Sequence, residues 1–357
     1  MRVRSKRSVD RGEARPGVAL SHFLWTGCVL FLSAWTTLRA EPPKQLSVAD
    51  ISSDVLAAKQ ANVIGLAPGD YIVDGNRLFN GYTLAVERLV FKPGSKLVFS
   101  AQALRQRDTF LIVANEVTSL DPNNPGTITW SAEGTPEPGR PVPGQASTGS
   151  HGAEDTDGSQ GATGASGNDG TAGRKAPRLV IFVKSVPTSK VSIAFSGQPG
   201  GRGGPGQKGG DGGNGGPGHS GSQNLFNCTR GPGNGGKGGT GGAGGVGGRG
   251  GAGGDGGTVV VTSLAANLPL IQQEFSVDVA GGQGGASGEG GPGGRGGLGG
   301  PVGAEQLPYC TRGGRSDGPD GGTGLVGGQG QPGPGGTGGD FFVAALTEAQ
   351  LNTLFQP

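Results

Sequence analysis

Apolar residues fall in short, β-branched bursts separated by long polar and glycine-rich stretches. Val191-Ser192-Ile193-Ala194-Phe195-Ser196-Gly197 parallels Phe275-Ser276-Val277-Asp278-Val279-Ala280-Gly281 at an offset of 84. Each is preceded by another strand-like run, Leu179 to Lys184 and Thr258 to Thr262, and a weaker earlier copy reads Leu111 to Ala114, then Thr127 to Trp130. Bursts of this length, bounded by Gly, Pro or Asn, predict sheet strands. Phe341 to Leu346 begins one more copy that is cut short. The unit is therefore strand, connector, strand, glycine tract, polar tip, and a second glycine tract back. Ahead of the repeats, Asp50 to Ala61 predicts a short helix, and Tyr82–Val86, Leu89–Ser95 and Lys96–Phe99 predict strands broken by the Pro93-Gly94 turn. Thr347 to Phe355 predicts a capping helix or turn.

Composition sharpens this picture. Glycine fills 80 of 357 positions, against about 7% in ordinary chains. So little apolar surface excludes a conventional 350-residue enzyme core, because burial could not offset the ordering entropy. The glycines are also in phase. Every third residue is Gly over 197–221, 282–303 and 318–339, more sparsely over 158–173, and Asn234 to Gly257 is a run of X-Gly-Gly triplets. Disorder needs no phase. A collagen triple helix needs the phase, but Gly-Gly steps raise its ordering cost and tracts of about 25 residues are short for it. An extended helix with three residues per turn remains. It puts two lines of bare glycine against neighbours and leaves X to solvent, as Lys237, Arg249, Asp255, Glu289 and Arg295 suggest. Having no internal hydrogen bonds, it must pair its backbone with adjacent helices. Each tract would reach on the order of 75 Å, with outgoing and returning tracts antiparallel.

The first 40 residues carry seven Lys and Arg against two acids, then an apolar run from Val18 to Trp35, then Ala40 before Glu41-Pro42-Pro43. That order predicts a secretory signal peptide cleaved after Ala40, or else an uncleaved membrane anchor. Without it the formal net charge of +2 becomes −3, since 22 basic and 25 acidic residues remain. No net basic patch is left for nucleic acid. The leader also takes Cys28, leaving Cys228 and Cys310 in matching Cys-Thr-Arg-Gly contexts. Equivalent positions in an exported chain predict a Cys228–Cys310 disulfide between tips, with free redox or metal-binding thiols as the alternative.

Gly197–Gly221 with Asn234–Gly257, and Gly282–Gly303 with Gly318–Gly339, resemble the polyglycine-II helical bundles. That class includes the snow flea antifreeze protein, the glycine-rich domain of Obg-type GTPases, and a phage tail-fibre adhesin. The resemblance covers roughly 145–340 and concerns repeat type alone, so no functional residue carries over by motif. The Obg comparison lacks its P-loop GTPase domain here. The adhesin implies receptor recognition by tip loops; the flea protein implies ice binding. The expected fold is all-β: a short parallel β-helix-like base, or a β-roll, with an inserted antiparallel polyglycine-II bundle. Its parts would be a leader over 1–40, a β base with a short helix over 41–132, repeats over 133–176, 177–257 and 258–340, and a closing strand and cap over 341–357.

The tips, Ser222 to Arg230 and Glu305 to Asp317, gather Phe226, Arg230, Tyr309, Arg312 and Arg315 in a chain poor in aromatics. Aromatic and Arg side chains anchor recognition surfaces; alternatively Phe226 and Tyr309 pack over the disulfide and cap the helices. Asp155-Thr-Asp157-Gly158 and Asp317-Gly-Pro-Asp320 lack the spacing of a calcium loop. His22, His151 and His219 form no zinc set or catalytic triad. No cofactor or metal is called for. The leading expectation is an exported, non-enzymatic scaffold, secreted, periplasmic or on the cell surface and adhesin-like, whose partner is a cell-surface glycan or protein receptor. Membrane contact follows only from an uncleaved leader. The alternative is a polysaccharide lyase or hydrolase on the base, for which Glu87, Lys92 and Lys96 are too sparse to name a site; ice binding is third.

Overall fold

The computed structural model describes residues 43–62, 67–132, 134–186 and 189–355. The leader expected over 1–40 lies outside them. The chain is strand-rich, with two parallel sheets and few helices. It climbs by alternating between the sheets. β1 (Lys44–Leu46) and α1 (Ser52–Asn62) come first. Then β2 (Ala67–Val73), β4 (Thr83–Phe91), β6 (Thr109–Ser119), β8 (Arg178–Ser185), β12 (Thr258–Leu264) and β14 (Asp340–Leu346) build one sheet. Each of the first five is followed by a strand of the second sheet: β3 (Asn76–Phe79), β5 (Lys96–Phe99), β7 (Gly126–Trp130), β9 (Val191–Ala194) and β13 (Phe275–Asp278). The first sheet runs β1-β14-β12-β8-β6-β4-β2 and the second β13-β9-β7-β5-β3.

The register puts like residues in line. Leu84, Ile112, Ile181, Val261 and Val343 form one ladder and are buried between the sheets with Leu97, Ile128 and Ile193. Phe99 stacks on Phe110 at 4.3 Å, and Phe195 meets the edge of Phe110. The alternate residues of the first sheet, Leu111, Val180 and Val260, face outward yet are also buried, beneath Ile51 and Ala58 of the α1 segment and Leu351 and Leu354 of α4 (Glu348–Phe355). Burial on both faces is why these strands read as continuous apolar runs. β1 pairs in parallel with β14, so the start of the described chain closes the edge beside its end, and Lys44 pairs with Asp340 at 2.7 Å. A short helix, α2 (Ala101–Gln106), capped by Ser100, turns β5 into β6, and α3 (Leu268–Glu274) joins β12 to β13.

Three excursions leave after β7, β9 and β13 and return to β8, β12 and β14. Because those strands are ladder neighbours, the excursions start side by side. Outgoing segments 134–153, 195–221 and 279–304 run parallel to one another, as do returning segments 156–176, 231–257 and 316–339. Gly200, Gly203 and Gly206 donate to Gln283, Ala286 and Glu289, and Gly238, Gly241 and Gly244 donate to Pro319, Gly322 and Leu325. Outgoing and returning segments are antiparallel: Gly239, Gly242 and Gly245 donate to Gly213, Gly210 and Gln207.

Each interior segment thus uses two N–H groups of every three on neighbouring backbones. The third N–H belongs to the X residue and needs no backbone partner. Proline lacks that N–H, and Pro199, Pro205, Pro217, Pro292, Pro301, Pro319 and Pro334 all occupy this position. Several other X residues are stapled by a carboxylate or amide from the preceding segment. Asp157 accepts from Lys237 N–H and Asp169 from Arg249 N–H, each at 2.7 Å, Asp211 from Arg295 at 2.8 Å, and Asp255 from Thr337 at 2.9 Å. Asn214 and Asn234 do the same for Leu298 and Ser316.

These staples make the arms acid-sensitive. The Arg295 N–H holds the Asp211 carboxyl down to about 2, from a usual value of 3.8, and the Thr337 N–H lowers Asp255. A carboxyl with a depressed folded value stabilises above its unfolded value and loses that contribution as pH falls through the folded one. Melting temperature is therefore expected to fall between about pH 4 and pH 2. Asp211→Asn keeps an acceptor oxygen and should flatten that slope; circular-dichroism melts across the range check it.

Candidate functional site

The far ends of the arms converge on one cross-braced platform. In the second arm β10 (Ser222–Gln223) and β11 (Cys228–Arg230) pair antiparallel. Asn224 closes the turn between them by accepting from Phe226 and Asn227 N–H at 2.9 Å each, the local bonding that makes Asn a turn residue. The third arm turns through Gln306 and Cys310, which exchange backbone hydrogen bonds, and through Gly313 and Gly314, both at positive φ.

The expected disulfide is present: Cys228 and Cys310 are bonded, with Cα atoms 4.9 Å apart. Gln223 supplements it from its backbone and side chain, donating to Gln306 Oε1 (2.8 Å) and Leu307 O (2.6 Å) and accepting from Tyr309 N–H (3.0 Å). The first arm joins through Asp155, whose carboxylate takes the His219 backbone N–H and side chain and lies 3.5 Å from Arg230.

Of the residues singled out in the sequence, Arg230, Arg312 and Arg315 are exposed, and Tyr309 is 47% exposed. Phe226 is 83% exposed, so it does not cover the disulfide. Arg312 N–H is held by Glu305, and Arg315 N–H by the Arg312 carbonyl. Two apolar residues join them that composition did not flag, Leu225 at 84% and Leu307 at 66% exposed. Their adjacency to Phe226 and Tyr309 was the available signal.

The base offers less chemistry. A cleft of about 340 Å³ lies where the first arm departs, lined by Thr129, Trp130, Ser131, Ala194, Ser196 and Gln198, with Trp130 Nε1 bonded to Ser196 O at 3.2 Å. Among the described residues its lining holds no nucleophile–base pair. A second hollow of about 210 Å³ holds the Arg202–Glu289 ion pair. Glu87 accepts from Gly69 N–H, and Lys92 pairs with Asp74 at 2.6 Å. Among the described residues no group of three His, Cys, Asp or Glu is placed to hold a metal.

No protein family matches the chain, and no curated protein does. Among solved structures it is similar to a springtail antifreeze protein from Granisotoma rainieri, a nine polyproline type II helical bundle. That chain is 26% identical, with 46% of this chain and 97% of that one covered, at a TM-score of 0.11. A likeness at that score carries no argument about fold or activity, and no family membership follows from it.

Proposed function

We propose that the chain is an exported, non-enzymatic scaffold: a parallel β-helix base carrying a polyglycine-II bundle whose tips bind a partner, a cell-surface glycan or a protein receptor. Three residues per backbone-pairing repeat, without internal hydrogen bonds, support the polyglycine-II assignment. The observation that carries the binding role is the concentration of exposed Leu225, Phe226, Leu307 and Tyr309, with Arg230, Arg312 and Arg315, on a braced platform at the far end of the arms. Such apolar exposure stabilises nothing in the free chain, whereas covering it with a partner removes it from water at about 25 cal/mol per Å². Aromatic and Arg side chains held on a rigid frame also lose little entropy on binding.

Binding of the purified chain to cells and to glycan arrays tests this. Phe226→Ala with Arg312→Ala should weaken capture at least about tenfold, the effect of truncating one or two anchor residues, while the melting temperature stays within a degree or two. Undiminished binding after every tip side chain is replaced would remove the tips from the proposal.

A further inference from the structure

Two histidines lie in the arms, and their hydrogen bonds have opposite sense. His151 Nδ1 accepts from the Asn214 N–H at 2.9 Å, so that nitrogen carries a lone pair. His219 faces acceptors on both sides. Nδ1 lies 2.9 and 2.7 Å from the two carboxylate oxygens of Asp155, and Nε2 lies 2.8 Å from the carbonyl oxygen of Gly231. A carboxylate and a backbone carbonyl only accept, so both ring nitrogens must carry protons for both bonds to exist.

The surroundings are shaped for this arrangement. Among the described residues Asp155 is the non-glycine residue at positive φ, 62°, a conformation uncommon for residues with a side chain, though Asp adopts it more readily than most. It meets His219 twice, taking the backbone N–H at 2.8 Å as well as the ring. These bonds, the backbone one first, keep its carboxyl below the usual carboxylate range. Gly233 stands against the pair, and a Cβ there would collide with Asp155 Oδ1 and His219 Nδ1. The charged groups facing the ring are Asp155 from the first arm and, across that carboxylate, Arg230 from the second. The ring side chain is 18% exposed, so protons reach it from solvent.

We infer that His219 works as an imidazolium clamp joining the tips of the first and second arms, and that the clamp opens when the ring gives its proton to solvent. Neutral imidazole keeps one N–H. It can donate to Asp155 or to Gly231, not both, and the abandoned acceptor then faces a lone pair. The released segments are Asp155 with its turn and the start of the returning strand at Gly231–Gly233, directly beside the Cys228–Cys310 link. The clamp follows from tip geometry and stands whether or not the tips bind a partner.

The test uses the whole chain labelled with 15N, read by imidazole nitrogen shifts and by amide exchange between about pH 5 and pH 8, the range in which histidine side chains in general change charge. Exchange is corrected for its intrinsic pH dependence. At the acid end both His219 nitrogens should show protonated shifts, and the His219 and Gly233 amides should be protected. Over the range their protection should fall about tenfold or more, as expected for losing a hydrogen bond to a charged group. Amides near the base, such as Val260, should hold theirs. His219→Gln and Asp155→Asn should each abolish the pH dependence at Gly233, so the second variant serves if the first folds poorly. Protection independent of pH in the parent chain, or a neutral His219 ring at the acid end, would overturn the clamp.

Discussion

Alanine at Gly242 should unfasten the arms, whereas alanine at Gly322 should leave them intact or slightly stronger. A Cβ at Gly242 would overlap the carbonyl of Ala162, a backbone atom that cannot rotate aside. Relief requires pushing the second returning segment off the first, which breaks the Gly161 to Thr240 and Gly164 to Ala243 hydrogen bonds on either side. A cost of about 3 kcal/mol or more is expected, the upper end for overpacking. Gly322 also has a backbone neighbour, donating partner Gly241, yet a Cβ there meets nothing within 4 Å. Removing glycine at such a site restricts the unfolded chain and stabilises by about 0.4–1 kcal/mol. Denaturant titrations of the two variants should shift in opposite directions. Equal losses would mean that glycine serves the arms through flexibility and not through close approach.

The same contrast explains how much of the arrangement was legible. Interior segments 197–221 and 234–257 need glycine at two positions of three, because neighbours crowd both. The outermost returning segments, 156–176 and 316–339, keep glycine mainly at one, and place Gln160, Thr163 and Ser166, or Thr323, Val326 and Gln329, at positions whose backbone pairs with no neighbouring segment. Phase and pairing of the repeats therefore stood in the sequence, and so did the β-branched strands that seat them. The prolines at X positions and the Asp and Asn staples did not, because their meaning depends on which segment lies alongside. That neighbour is set by strand stacking in the base, tens of residues away. β1 escaped notice for the same reason, since a three-residue strand has no local signal and exists through its pairing with β14. β2 and β3 were also missed. Ala67-Pro68-Gly69 looks like a turn, and most of both strands is exposed at the end of the stack, without the apolar run of a buried strand. At the tip, aromatics and arginines were visible, whereas the His219–Asp155 contact joins residues 64 apart.

Opening the Cys228–Cys310 bond is the other change expected to be large. It links positions 82 apart, and closing a loop of that size removes about 4.5 kcal/mol of chain entropy from the unfolded state in the loop-entropy description. The arms between the cysteines are long extended segments whose glycines are the most costly of all residues to order, so this restriction acts where the unfolded chain has most freedom to lose. The bond is not alone at the tip, because Gln223 bridges the same two arms through Gln306, Leu307 and Tyr309. Those contacts exist in the folded state and leave the unfolded chain unrestricted, so they cannot replace the crosslink's effect on it. Cys228→Ser, Cys310→Ser and the double variant should each lose about 2–5 kcal/mol, and all three should agree within about 0.5 kcal/mol, since either substitution removes the one bond. Reduction of the parent chain should reproduce the loss. If the double variant instead cost the sum of the singles, the cysteines would be contributing separately through packing, and the stabilisation would lie in the folded tips and not in the tethered unfolded chain.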